Sequence, residues 1–261
     1  MRYVLVLLAA FVFAFACFSQ PATAVTAYNA ETGEAFAEPT FRDLSMMLLM
    51  LDGVDINQPK VADDYAKMNF CGLYKDKYKN DFEWNKVRQQ IVNRVLSKKD
   101  YYRLQYELDG TINLDRYNFD TQDFPLTTMT AMERVGSMIL YDNGNAADNP
   151  KGRNRILCND DTYTRVFPGQ YMFVLTQPLT FDRLKLPMDE AKSLLERMAS
   201  TKNTDRHLYV RFRLRVTGIE KVLASRTDAV QINVKGDIVA VDIFLDRDMT
   251  KYLTSINLTK F

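Results

Sequence analysis

The sequence predicts an α+β fold in which N-terminal helices are followed by a mainly antiparallel β-sheet with one inserted helix. Three observations support this prediction. Apolar residues recur with the 3.6-residue period of a helix up to Lys99, and with the two-residue period of a strand from Tyr102 onward. One further helical stretch, Asp189 to Met198, interrupts the strand patterns. Helices first and strands afterwards are typical of α+β proteins.

The first 24 residues have the pattern of a secretory signal peptide. A single basic residue, Arg2, precedes an uncharged apolar run from Val4 to Phe18, and Ala22-Thr23-Ala24 offers small residues for cleavage. The run is shorter than the about 20 residues of a membrane-spanning helix. We therefore expect an exported protein, periplasmic or secreted, whose mature chain begins at Val25. A retained membrane anchor and lipid attachment at Cys17 are the alternatives.

The composition argues against several classes of partner. The leader removes Arg2 from a chain of 34 basic and 33 acidic residues, so the mature part has no net charge. A neutral protein lacks the field that draws in nucleic acid or an anionic membrane. We expect no nucleic-acid partner, no membrane span after cleavage, no metal and no cofactor. The sequence carries no H-E-x-x-H, G-x-S-x-G or EF-hand pattern.

The first predicted helix begins after Thr40, which is a preferred N-cap residue, and ends at Asp52-Gly53. Its segment from Leu44 to Leu51 is apolar almost all round, which indicates a buried helix. Met46, Met47 and Met50 lie within it. Thioethers can bind copper(I), but leucines surround these methionines, which favours ordinary core packing.

Two further helices are predicted before the strands. Asn57-Gln58-Pro59 opens a short helix that runs to about Met68 and ends by Gly72, and Asn80 to Glu83 has the arrangement of a capping box. The helix after Asn80 has one apolar stripe, which consists of Trp84, Val87, Ile91 and Val95.

The strand patterns predict two tight turns and one break. Asp109-Gly110 is expected to join Tyr102–Leu108 to Ile112–Leu114 as a hairpin, since Asp-Gly favours this turn. Lys235-Gly236-Asp237 is expected to join Val230–Val234 to Ile238–Leu245. Pro178 is expected to separate two strands, Tyr171–Gln177 and Leu179–Leu186, because proline cannot donate to a ladder. Met129 to Asp142 fits either a helix or a strand.

The mature chain, residues 25–261, is predicted to form a single domain. The loop from Asp142 to Asp161 is the one candidate for a boundary within it, and its Asp and Asn residues suit turns better than calcium. After leader cleavage two cysteines remain, Cys71 and Cys158. In an oxidising compartment they can form a disulfide. The bridge would close a loop of 87 positions (158 − 71) and, by restricting the unfolded chain, would stabilise the fold by about 4 to 5 kcal/mol. The alternative is two buried, unpaired thiols.

The strand from His207 to Glu220 carries the candidate binding residues. Leu208, Val210, Phe212, Leu214 and Val216 must face the core, so Arg211, Arg213 and Arg215 share the opposite face with His207 and Tyr209. Such a row either binds an anionic ligand or is neutralised by acids on neighbouring strands, with Asp242 and Asp246 as the expected partners. For an exposed, neutralised row, Arg213→Glu would cost about 1 kcal/mol or less.

Two stretches resemble bacterial exported domains that are known only as domains of unknown function. The first is Leu114 to Phe119 with Phe124-Pro125-Leu126, and the second is Leu179 to Met198. The resemblance implies no activity and no site residues. From the residues alone we expect an exported envelope protein that binds a partner or acts as an accessory without chemistry of its own.

The alternative function is a hydrolase that uses carboxylates. Asp160, Asp161, Asp189 and Glu190 are the candidates, and two of them would have to face each other with separated pKa values.

Overall fold

The protein has an α+β fold, which we describe from a computed structural model for residues 27–28, 35–99, 102, 104–142, 166–200, 205–225 and 228–258. The helices are α1 (Phe41–Met50), α2 (Pro59–Asn69), α3 (Cys71–Lys77), α4 (Asp81–Leu96) and α5 (Met188–Ser200). The strands are β1 (Ala27–Tyr28), β2 (Ala35–Phe36), β3 (Gln105–Asn113), β4 (Asp123–Pro125), β5 (Met132–Asp142), β6 (Gln170–Phe181), β7 (Arg183–Lys185), β8 (His207–Ser225), β9 (Asp228–Phe244) and β10 (Tyr252–Asn257). The predicted leader, residues 1–24, lies outside the described residues.

One six-stranded sheet organises the fold. Its strands follow the order β3-β8-β9-β6-β5, and β10 pairs with the C-terminal part of β9. The β6–β9 pair is parallel and the other pairs are antiparallel, as the prediction of a mainly antiparallel sheet requires. Strands from both sides of the 142–161 loop join this sheet, and the loop itself lies outside the described residues beyond Asp142.

Helix α1 is buried, as its composition predicts. The Thr40 hydroxyl accepts a hydrogen bond from the Asp43 N–H at 3.2 Å, and Phe41 contacts the Tyr141 ring at 6.1 Å between centroids. Met46, Met47 and Met50 are all less than a tenth exposed within the hydrophobic core. The methionine cluster is therefore core packing.

Helices α2 and α4 begin where the capping residues predict. Pro59 is the first residue of α2, and the Asn80 side chain accepts hydrogen bonds from the N–H groups of Phe82 and Glu83. The short helix α3 was not predicted, and Gly72 lies inside it.

The predicted hairpin at Asp109-Gly110 is wrong. Strand β3 runs straight through both residues and pairs with β8 from Gln105 opposite Arg215 to Asn113 opposite His207. A Cβ on Gly110 would lie 3.2 Å from the Phe212 ring, so glycine makes room for that side chain instead of forming a turn.

The predicted turn at Lys235-Gly236-Asp237 is also wrong. Strand β9 is continuous there, paired with β6 on one side and β8 on the other. A Cβ on Gly236 would lie 2.1 Å from the Arg215 carbonyl oxygen and 2.8 Å from the Phe173 ring. The glycine therefore allows a close approach between central strands, which is another common use of glycine in a sheet.

Pro178 does not end a strand as predicted. It lies within β6, beyond the last β9 pair at Leu175 and in an irregular section where the β5 ladder skips from Val174 to Leu179. A residue without an N–H group is tolerated at such a place. Residues 132–142 form a strand rather than a helix, and β1, β2, β4 and β10 were not predicted.

Candidate functional site

The arginines of β8 share one face of the sheet, with the buried side chains of Leu208, Val210, Phe212 and Leu214 on the other. The neighbouring strands place acids on the arginine face. Asp109 of β3 lies opposite Arg211, which lies opposite Asp242 of β9 on its other side. Arg215 lies opposite Asp237 in the same ladder.

Arg213 is bound by a buried carboxylate. Its Nε and Nη2 atoms both lie 2.6 Å from Oδ2 of Asp242, and the two side chains are 11% and 4% exposed. The guanidinium lies 5.5 Å from the ring centroid of Phe36, which is fully buried. Arg213 is therefore enclosed by an acid and an aromatic ring, and the expectation that Asp242 neutralises the row fits this geometry.

Arg211 has acidic partners that the sequence did not suggest. Its Nε donates to Asp109 at 2.9 Å, and its Nη1 lies 3.6 Å from Glu107. Burial opposes the charge of Arg211, but the two acids outweigh it and raise the guanidinium pKa.

Asp246, the other acid expected beside the row, instead holds the turn between β9 and β10. Its carboxylate accepts hydrogen bonds from the Thr250 hydroxyl at 2.6 Å and from the Lys251 N–H at 2.7 Å. The Thr250 hydrogen bond is the main reason that the pKa of Asp246 is lowered.

His207 and Tyr209 extend the row toward the start of β8. The Nδ1 atom of His207 lies 2.7 Å from the Asn113 side-chain oxygen, and its ring contacts that of Tyr209 edge-to-face at 4.9 Å. The histidine is thus held by a strand neighbour.

The residues of the hydrolase alternative are not assembled in the part of the chain that is described. Asp189 and Glu190 are exposed in the first turn of α5, and Asp160 and Asp161 lie outside the described residues. Cys158 also lies outside them, so its bridge to Cys71 at the start of α3 stays a prediction. No group of three or more His, Cys, Asp and Glu side chains in the described ranges is placed to hold a metal. Nor is any described helix long and apolar enough to cross a membrane.

A different surface, on α4, presents an exposed aromatic ring. Phe82 is 86% exposed, although it lies only two residues before Trp84, which is 3% exposed. A shallow depression of about 510 Å³, open to solvent and lined by residues of α4, lies beside it. We call this the α4 groove; its lining residues are Asp81, Phe82, Trp84, Asn85, Lys86 and Arg88.

The floor of the α4 groove is held rigidly. The Trp84 Nε1 donates to Asp63 of α2 at 2.9 Å, and Arg88 donates to the same carboxylate at 2.9 and 3.3 Å. The Tyr74 and Tyr78 rings meet Trp84 edge-to-face at 5.1 and 5.6 Å. Three helices therefore fix the surface from which Phe82 projects.

This site was not predicted from the sequence, because the pattern of Asn80 to Glu83 was interpreted only as the start of a helix. The missed signal is the phase of Phe82, which lies about 200° around the helix from Trp84 and thus off the buried stripe. An aromatic residue outside the apolar stripe of an amphipathic helix is left exposed to solvent, where a partner can cover it.

A protein-family model described as "Domain of unknown function (DUF4852)" matches residues 58–197 of the sequence. The chain belongs to the DUF4852 family. This match confirms the expected resemblance to a domain of unknown function, and it carries no activity with it. No curated protein and no solved structure matches the sequence.

The DUF4852 region runs from α2 through most of α5. It includes the α4 groove, whereas the arginine row of β8 lies beyond its end. The two stretches that carry the resemblance lie together in the fold. The Tyr117 hydroxyl donates a hydrogen bond to the Leu186 carbonyl at 2.9 Å, and the Leu126 N–H donates one to the Asp182 carbonyl at 2.8 Å.

Proposed function

We propose that this DUF4852 protein is an exported, non-catalytic binding domain that contacts a component of the cell envelope through the α4 groove. The N-terminal leader pattern supports the compartment, which is the periplasm or the exterior. The exposure of Phe82 on a rigid surface is the observation that supports binding.

Phe82 is suited to a contact because its ring is in water in the free chain. Burying a phenylalanine side chain is worth about 1.5–3 kcal/mol, and aromatic residues are enriched among those that dominate binding. Asn85 and Lys86 line the same surface as Phe82, and their amide and ammonium groups can fix a ligand's orientation by hydrogen bonds. Four of the six lining residues carry polar or charged groups, so Phe82 supplies the exposed apolar side chain and its neighbours supply the polar groups.

The charges of the groove favour binding over hydrolysis. Asp81 is the one carboxylate in its lining, and the nearby Asp63 is occupied by Trp84 and Arg88. Hydrolysis by carboxylates needs two such groups in complementary states.

The test compares two exposed phenylalanines in cosedimentation with the envelope fraction of the cells that make the protein. Phe82→Ser should weaken binding about tenfold, as loss of a central aromatic contact does. Phe119→Ser is the matched control, because Phe119 is 68% exposed on the β4–β7 side of the fold. Both variants should keep the wild-type stability within about 0.5 kcal/mol. Equal binding by all three proteins would contradict the proposal.

Export is tested separately by the intact mass of protein recovered from outside the cytoplasm. A chain that begins at Val25 supports it. A chain that still begins at Met1, or one that carries lipid at Cys17, contradicts it.

A further inference from the structure

A small pocket lies at the opposite end of α4 from the groove. It has a volume of about 140 Å³ and is bounded by the end of α1, the loop at residues 51–57 and the end of α4. Its walls are apolar: Leu49, Met50, Ile56 and Val95 are each less than a tenth exposed, and Val54 lies beside them half-buried.

The loop that forms one wall is tightly held. The Gly53 N–H donates to the Leu48 carbonyl at 2.8 Å, and a Cβ at Gly53 would lie 2.2 Å from the Leu48 side chain and 2.4 Å from that of Ile219. Asp52 has a φ of 56°, in the left-handed region. The pocket is thus formed by packed structure in the free chain, which lowers the ordering cost of binding.

The charged groups of the lining leave one negative charge in excess. Both carboxylate oxygens of Asp52 accept hydrogen bonds from the Lys99 ammonium, at 2.6 and 2.7 Å. Asp55 has no cationic partner among the described residues, and its Oδ1 accepts from the backbone N–H and side-chain amide of Asn57 at 2.9 and 2.8 Å. Asp55 therefore remains available to a positive ligand.

We propose that this pocket binds a compact hydrophobic ammonium, with its apolar body against Leu49, Ile56 and Val95 and its ammonium at Asp55. The volume supports this assignment, since an apolar cavity of about 150 Å³ accommodates benzene. The charge supports it because an ammonium would neutralise the Asp55 carboxylate, whereas an anion would lie near two carboxylates and only one lysine ammonium. The site is independent of the α4 groove.

The first experiment titrates the wild-type protein with three probes of one shape: benzylamine, benzyl alcohol and benzoate. Amide chemical shifts of residues 49–57 and 95–99 report binding. Benzylamine should bind at these residues, benzyl alcohol about fivefold more weakly, as expected for loss of one solvent-exposed charge pair, and benzoate more weakly still. Absence of shifts at these residues, or equal binding of the three probes, would overturn the proposal.

Variants separate the apolar and charged parts of the site. Val54→Phe should abolish benzylamine binding, because its ring fills the pocket. Asp55→Asn keeps an oxygen acceptor for Asn57 and should weaken benzylamine about fivefold while leaving benzyl alcohol unchanged. Asp248→Asn, an exposed acid in the turn before β10, is the control and should change neither affinity. Undiminished benzylamine binding in Val54→Phe or in Asp55→Asn would show that the pocket is not the site.

Discussion

Asp242→Asn removes the charge that neutralises the most enclosed arginine of the sheet. Asp242 holds two nitrogens of Arg213 at 2.6 Å, and the Nη1 atom of Arg213 is buried without a hydrogen-bond partner among the described residues. The variant therefore leaves a guanidinium, 11% exposed, beside a neutral amide.

The expected loss is large because both partners are buried. Removing one member of a buried ion pair costs about 3–5 kcal/mol when the remaining charge is uncompensated. The buried Glu107 lies opposite Arg213 on β3, so we expect a loss near the lower end of that range. Arg213→Glu should cost at least as much, because it places two acids together. The losses expected for both variants are thus larger than the about 1 kcal/mol that an exposed ion pair contributes. Asp109→Asn is the control: its carboxylate is 56% exposed beside Arg211, and its loss should cost about 1 kcal/mol or less.

Urea unfolding followed by tryptophan fluorescence measures these losses, because Trp84 is the single tryptophan and is 3% exposed. A loss below 1 kcal/mol for Asp242→Asn, or one equal to that of Asp109→Asn, would refute the structural interpretation of the arginine row. So would a fully stable Arg213→Glu variant that loses a salt-sensitive affinity for a polyanion shown by the wild type.

Three further predictions concern the core, the tyrosines and the cysteines. Gly236→Ala should lower the free energy of unfolding by about 3 kcal/mol or more, because its Cβ would overlap the Arg215 carbonyl. Gly72→Ala in α3 is the control: its Cβ has open space, so the change should be neutral or stabilising by up to about 1 kcal/mol. Thermal unfolding compares the two variants. Burial raises the pKa of Tyr65 to about 12. The unfolded chain releases this proton near pH 10 and the folded chain retains it, so stability should fall as pH rises from 10 toward 12, with delayed tyrosinate absorbance as the readout. Peptide mapping without reductant should recover Cys71 linked to Cys158 from exported protein, and two freely alkylated thiols would contradict the bridge.

Local signals were sufficient where one residue or one period decides the structure. Thr40 and Asn80 cap their helices with side-chain hydrogen bonds, and Pro59 begins α2. The alternation along β8 placed Arg211 and Arg213 on one face, since the opposite residues have to be buried.

The hairpin prediction at Asp109-Gly110 was wrong because the turn preference of Asp-Gly was given more weight than the alternation of apolar residues along the strand. Tyr106, Leu108 and Ile112 are all at even positions, so one face continues through the supposed turn. A two-residue hairpin would pair residue 108 with 111 and direct Ile112 to the opposite face from Leu108. The apolar pattern was therefore evidence for one long strand.

The partners of the arginines depend on strand order and register, which a single sequence does not encode locally. Glu107 and Asp109 come from β3, more than ninety residues earlier in the chain. On β9, Ala240 pairs with Arg213 but Ile238 with Leu214, so the irregularity at Val239 determines the face that Asp242 occupies. Such an irregularity shifts every later side chain to the other face.

The most direct test of envelope binding through the α4 groove replaces Phe82 with a photo-crosslinking residue in the exported chain, in the cells that make it. Irradiation should yield a covalent adduct from position 82, whereas the same residue in place of Phe119 should yield none. Adducts from position 119 alone, or no adduct from either position, would contradict binding through this groove.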